Sequence, residues 1–270
     1  MNSHIQKLMI ALALITVLAA TLACGATPTA IPATLTPNLP PTETSLPTQT
    51  AVPLYLQVAL TSVAYNETGE NPAYSLKAQT PSLQGSEDAR VTNFNNEMNQ
   101  LTQEEIAKFK DNVRVTHPVA GSPGSAFDQS YEVLSPPGNL LSVKFDIYIY
   151  IDGAAHPNTH SRTVNYDLET GTDLSLDQLF LPGSNYLQVI ANYCIAQLET
   201  RNIDFEAFAS GADPTPANYS SWNITPDGLQ INFDEYQVAA YAAGPQIVTV
   251  PYAELQSVID PNGPLGNFLP

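Results

Sequence analysis

The chain has 270 residues, a formal charge of -17 and a pI near 4.3. Nine Lys and Arg against 26 Asp and Glu leave little basic surface for phosphate, which excludes nucleic acid and anionic lipid headgroups as principal ligands. Acidity also keeps an exported protein soluble, so it selects no partner by itself.

Lys7 and the amino terminus precede an uncharged apolar run from Leu8 to Ala23. This is the layout of a secretory signal, and the run is shorter than the roughly 20 residues a membrane-spanning helix needs. Cys24 follows at once. Thr21-Leu22-Ala23-Cys24 resembles a bacterial lipoprotein box, which implies lipidation of Cys24 and a membrane anchor, with a plainly secreted product as the alternative. Residues 25–53 are dominated by Thr, Pro and Ala, cannot bury a core and favour polyproline II, so they predict a stalk between anchor and folded part.

Partial alternation in Leu54–Tyr65 and Ala73–Leu83 predicts two strands joined by the turn-rich Asn66–Pro72. Between Val91 and Val113 a helix is expected, with Phe94, Met98, Leu101, Ile106 and Phe109 on one face and Glu97, Glu104, Glu105, Lys108 and Lys110 on the remainder. Period-two patterns return in Phe127–Ser135 and Asn139–Ile151, a hairpin turning at Pro136-Pro137-Gly138-Asn139; Leu141, Val143, Phe145, Ile147, Ile149 and Ile151 share one face of its second strand. A further strand from Arg162 leads through Glu169-Thr170-Gly171 to a short helical turn sealed by Leu176, Leu179 and Phe180. The next helix, about Asn185 to Thr200, carries Cys194 on its apolar stripe, which predicts a buried thiol. Pro226-Asp227-Gly228 marks a hairpin between Trp222–Thr225 and Leu229–Phe233, and a strand at Gln246–Val250 precedes a short terminal helix. Elements grouped in hairpins predict an α+β fold with mainly antiparallel sheets, packed helices and two closely associated subdomains.

Residues 152–171, DGAAHPNTHSRTVNYDLETG, hold two histidines four apart, two aspartates and a glycine near each end. His156 and His160, with Asp152 or Asp167, have zinc-ligand chemistry. The spacing guarantees convergence only on a helix, whereas Pro157 follows His156 directly in a turn between strands. Two other readings stand beside it: a structural turn in which Gly153 takes positive φ, and a contact surface built from this loop with Tyr236 and Tyr241. The adjacent carboxylates Asp234 and Glu235 are expected at a strand end, where alternation sends them to opposite sides. No nucleophile elbow or phosphate-binding glycine loop is present in the sequence.

The stretch NLLSVKFDIYIYIDGAAHPNTHSRTVNYDLETGTDLSLDQLF, followed by ITPDGLQINFDEYQVAAYAAGPQIVTVPYAEL, resembles the extracytoplasmic region of the RsiV-type lysozyme-sensing anti-sigma factors. The motifs are a Gly-Ala-Ala-His turn, a Tyr-Asp-Leu-x-Thr-Gly strand end, and a Gly-Leu strand leading to Phe-x-x-Tyr and Tyr-x-x-Gly. Residues 54–151 resemble the companion domain of a peptidoglycan deacetylase, leaving 152–270 as the second domain. The resemblance implies a non-catalytic, surface-tethered binding or sensing domain of the bacterial cell envelope, with a metal-dependent hydrolase of envelope glycans as alternative. Partners would be the membrane through its lipid anchor and an envelope protein or glycan, lysozyme among the candidates. No cofactor is expected, and a metal is left open. The candidate ligand contacts are Asp152, His156, His160, Tyr166, Asp167, Tyr236 and Tyr241.

Overall fold

Alternating side chains build the first of two sheets in the computed structural model, which describes residues 52–268 except 118 and 137. The expected signal, Cys24 and the stalk up to residue 51 lie outside the described residues. Leu54–Leu56 form a 3-10 turn, and β1 (Ala59–Glu70) pairs antiparallel with β2 (Ala73–Gln84) from end to end. Side-chain pattern alone puts Asn66 to Glu70 in the turn. Instead they continue the ladder, Asn66 opposite Lys77 and Glu70 opposite Ala73, because backbone groups gain partners there whether or not the side chains are apolar.

Asp88 starts α1 (Ala89–Arg114) by accepting the Arg90 amide at 2.9 Å. Its buried stripe, which includes Phe94, Met98, Thr102, Glu105, Phe109 and Val113, packs on one face of the sheet. Full burial of each apolar member contributes about 1.5–3 kcal/mol relative to exposure. The helix is also the crossover that lets β3 (Ser125–Val133) run parallel to β2. Antiparallel pairing then adds β4 (Leu140–Tyr150), β5 (Asn158–Asp167) and the short β6 (Thr172–Asp173), giving six strands in sequence order. Val143, Phe145 and Ile147 are buried under α1, flanked by the partly buried Leu141, Ile149 and Ile151, as the alternation predicts.

The second body is a three-stranded antiparallel sheet of β7 (Trp222–Ile224), β8 (Gly228–Phe233) and β9 (Gln246–Pro251), packed with α2 (Tyr186–Glu199) and α3 (Tyr252–Leu255). The β7–β8 turn needs glycine at 228, since a Cβ there would sit 2.2 Å from the Val250 carbonyl oxygen. Cys194 is buried, and burial pushes its thiol up to about 12. It should therefore resist alkylation at pH 8 in the native protein and react fully once unfolded, read by peptide mass spectrometry; rapid native labelling would contradict the packing.

The fold is α+β with mainly antiparallel sheets and two closely associated bodies, as the sequence predicts. The boundary expected at residues 151 and 152 falls between β4 and β5, which pair from Leu140–Asp167 to Ile149–Asn158, so the first sheet runs across it. Polar side chains join the bodies. Ser142 on β4 donates to Asn165 Oδ1 on β5 at 2.6 Å and accepts from Asn223 Nδ2 and the Ile224 amide on β7, each at 2.9 Å.

Candidate functional site

A cleft of about 510 Å³ opens where the second body stands on the outer face of β3, β4 and β5. Its floor includes Asp128 and Ser130 of β3 with Lys144, Asp146 and Tyr148 of β4; Asp234, Pro245 and Ile247 belong to the opposing wall. Alternation explains the floor: these residues point away from the α1 side that takes Phe127, Phe145 and Ile147. Lys144 is paired with Asp146, and its side chain is only 11% exposed. The positions thus present carboxylates and aromatic or aliphatic surface, with little free cationic charge.

Three predicted contacts meet in one aromatic cluster. His156, in the turn between β4 and β5, lies over the Tyr241 ring with centroids 4.1 Å apart, and Tyr236 stands 5.7 Å from Tyr241. His156 Nδ1 is 2.7 Å from the Pro157 carbonyl oxygen, a contact that requires the proton on Nδ1. Tyr241 donates to the same carbonyl at 3.1 Å. Burial, together with nearby Glu235, Tyr236 and Tyr148, raises the Tyr241 phenol above its ordinary value. Tyr236 is 51% exposed and has φ 65°, a left-handed backbone that costs a bulky residue free energy. The cluster adjoins the cleft through Tyr148, its cross-strand neighbour Thr159, and the Asp234-Glu235-Tyr236 run.

Asp234 and Glu235 do not diverge as expected. Asp234 Oδ1 accepts the Ser161 amide and hydroxyl, both at 2.9 Å, while Glu235 accepts the Thr159 amide at 3.2 Å and the Thr159 hydroxyl. The alternation rule fails because β8 ends at Phe233 and the chain turns through Tyr236. Both carboxylates thereby cover β5 amides that no strand pairs, a device that blocks edge-to-edge aggregation.

The other four predicted contacts lie outside this aromatic cluster, although His160 is among the residues lining the cleft. Asp152 accepts the Val119 amide at 2.9 Å, and hydrogen bonds, chiefly from Ser122, hold its carboxyl below the usual range. Tyr166 is a core residue rather than a ligand contact: it is buried edge-on against Phe94, donates to the Arg90 carbonyl at 2.7 Å, and burial pushes its phenol up to about 12. Asp167 stabilises its own turn by accepting the Glu169 amide at 2.8 Å. His160 points to the α1 side, 3.3 Å from Glu105 Oε2, so the two histidines serve different partners. Among the described residues no group of three or more His, Cys, Asp or Glu is placed to hold a metal ion.

Glu105, expected on the exposed face of α1, is buried. Besides His160 it accepts from Arg162 at 2.7 Å and Lys108 at 2.8 Å, and His160 first, then Lys108, hold its carboxyl down at about 2 against the cost of burial. Two turns of α1 away, Glu97 shows the opposite shift. Burial first, then the neighbouring Asp173 carboxyl, raises Glu97 to about 8 from 4.5. A raised acid contributes stability below its unfolded value and loses it as pH climbs through the folded one. Glu97→Gln should leave the melting temperature unchanged at pH 4 and raise it at pH 9, where wild type carries two facing carboxylates. An equal effect at both pH values would exclude this repulsion.

The assembly is an α+β two-sheet domain with an open, acidic cleft beside an aromatic cluster, and comparisons agree on its fold. Residues 177–253 match the family described as "Protein of unknown function (DUF3298)". A DUF3298-family crystal structure from Bacteroides fragilis superposes with a TM-score of 0.58 at 18% identity, covering 78% of this chain and 97% of that one. The chain is 25% identical over 166 residues, 60% of its length, to the peptidoglycan-N-acetylmuramic acid deacetylase PdaC of Bacillus subtilis, of which this covers 35%. It is 35% identical over 103 residues to esterase Rv3036c of Mycobacterium tuberculosis, 37% of this chain and 44% of that protein. Across the curated relatives it matches, the chain spans between 35% and 57% of their length. No helix among the described residues is long and apolar enough to cross a membrane.

Proposed function

We propose that the protein is an exported, membrane-tethered domain of the bacterial envelope that binds a ligand without catalysis, with the cleft as its site. The observation that carries this reading is the convergence of His156, Tyr236 and Tyr241, from separate segments, beside a concave surface that Tyr148, Thr159 and Asp234 help to line. An exposed tyrosine on a left-handed backbone serves stability poorly and suits recognition well. The similarity to PdaC, named for action on peptidoglycan, supports an envelope setting, and the lipoprotein-like Cys24 supplies the tether.

Binding of the purified protein to isolated cell envelopes tests the site. Tyr236→Ala should reduce it roughly tenfold with the fold intact, as loss of an exposed aromatic anchor does; unchanged binding would remove the cleft from the account. The RsiV-type resemblance makes lysozyme one protein candidate. Titration at low and moderate salt examines it, because a basic partner of an acidic domain should bind more weakly as salt rises. For the anchor, Cys24→Ser should shift the protein from the membrane to the soluble fraction. The match to a named esterase favours one second reading, hydrolysis, which turnover of a nitrophenyl ester by the purified chain would establish.

A further inference from the structure

Resting on the cleft as the binding site, we infer its ligand class: a glycan carrying free amino groups, with sugar rings against the exposed tyrosines and ammonium groups among the floor carboxylates. The first support is charge. Among the lining residues Asp128, Asp146 and Asp234 stand with one lysine, Lys144, which is already paired with Asp146 and only 11% exposed; the next cation, Lys77, lies across from Asp128 on β2, outside the lining. Asp128 has no ion-pair partner among the described residues. Three carboxylates against one ammonium repel uronic acids, phosphates and lactyl carboxylates, whereas a sugar amine brings the missing positive charge into a partly enclosed space where water screens it less.

The second support is independent of charge. Tyr148 on the floor is 39% exposed, and Tyr236 beyond the rim is 51% exposed. Tyrosine rings offer flat apolar faces with a polar tip, matching the C–H faces and hydroxyl edges of a pyranose. Beside them the exposed Ser130 supplies a hydroxyl able to exchange hydrogen bonds with sugar hydroxyls. The volume of about 510 Å³ suits a short oligosaccharide segment rather than a single ion. A folded protein would need a broad complementary surface instead of this recess.

The experiment is calorimetric titration of the purified full chain with two probes, a glucosamine hexamer and an N-acetylglucosamine hexamer, at low and moderate salt. The amine form should bind at least roughly tenfold more tightly, and its advantage should shrink with salt. Asp128→Asn should remove most of that advantage while leaving the acetylated probe unchanged. Tyr148→Ala should weaken both probes. Glu87→Gln, an exposed change in the segment just before α1 and outside the cleft, should alter neither. Equal binding of the two probes would overturn amine recognition, and so would a loss with Glu87→Gln as large as with Asp128→Asn, which would indicate general attraction to an acidic chain. If neither hexamer binds while Tyr236→Ala still abolishes envelope binding, the ligand class falls and the cleft reading survives. If envelope binding also survives Tyr236→Ala, the cleft reading itself has failed.

Discussion

Replacing Glu105 with alanine is expected to cost about 2–4 kcal/mol of stability, among the larger effects available from one surface-to-core ion-pair cluster. Its carboxylate is 2% exposed and holds Lys108, His160 and Arg162, whose side chains are 59%, 25% and 39% exposed. Removal leaves a void beneath α1 and strands Arg162 on a half-buried strand face. The cations can partly rehydrate, which keeps the loss below that of a fully enclosed pair. In a domain of this size the melting temperature should fall by roughly 5–15 °C. Lys108→Ala, acting on the exposed partner, should change stability by no more than about 1 kcal/mol. The pH dependence has a definite sign. Because the carboxyl is depressed to about 2 from 4.5, its contribution is complete above pH 4.5 and disappears as pH falls toward 2. Glu105→Gln should flatten the stability curve over that interval, measured by urea unfolding at several pH values. A curve that still falls as steeply would place the acid sensitivity elsewhere.

That glutamate also shows how far the sequence could be read. Phe94, Met98, Thr102, Glu105, Phe109 and Val113 follow one helical stripe, so periodicity alone places residue 105 against the sheet; its charge argued for solvent and obscured the pattern. The signal that resolves the conflict lies 55 residues on, where His160 and Arg162 alternate onto the same face of β5 and require an anion. Local alternation revealed the β4 core face, the hairpin at Gly228 and the burial of Cys194 because each depends on neighbours in sequence. The polar end of β1 was invisible for the converse reason: its ladder to β2 is made by backbone, which side-chain patterns do not report. In the site, the histidine turn identified His156, and the tyrosines near residue 240 identified its companions, but only tertiary packing could separate His156 from His160 or bury Tyr166. The cleft floor was not legible at all. Asp128, Asp146 and Tyr148 look like the ordinary solvent face of a hairpin until a second body is set beside them.

Asn223→Ala is expected to destabilise the protein by about 2–4 kcal/mol, because the side chain is the hub of the polar junction between the two bodies. Asn223 is fully buried; its Nδ2 donates to Ser142 Oγ at 2.9 Å and to the Val143 carbonyl at 3.1 Å, while its Oδ1 accepts from Asn232 at 2.9 Å. Ser142 in turn donates to Asn165, whose Nδ2 donates to the Trp222 carbonyl at 2.9 Å. Truncation leaves the Val143 carbonyl and the Asn232 amide each short of a partner in a buried interface, and each such group costs about 1–3 kcal/mol. Isosteric apolar residues cannot repair the defect, since the groups left behind are partly backbone. A double-mutant cycle with Ser142→Ala should show coupling of about 1 kcal/mol or more, because the two side chains share a hydrogen bond and the Ile224 amide depends on the same oxygen. The function should follow the stability. Floor residues Asp128, Asp146 and Tyr148 come from the first sheet, and Asp234, Pro245 and Ile247 from the second body, so the junction sets the spacing of the cleft. Asn223→Ala should therefore weaken ligand binding even at temperatures where the protein remains folded. Strictly additive stability losses, or unaltered affinity in the folded variant, would show that apolar packing alone holds the two bodies in register.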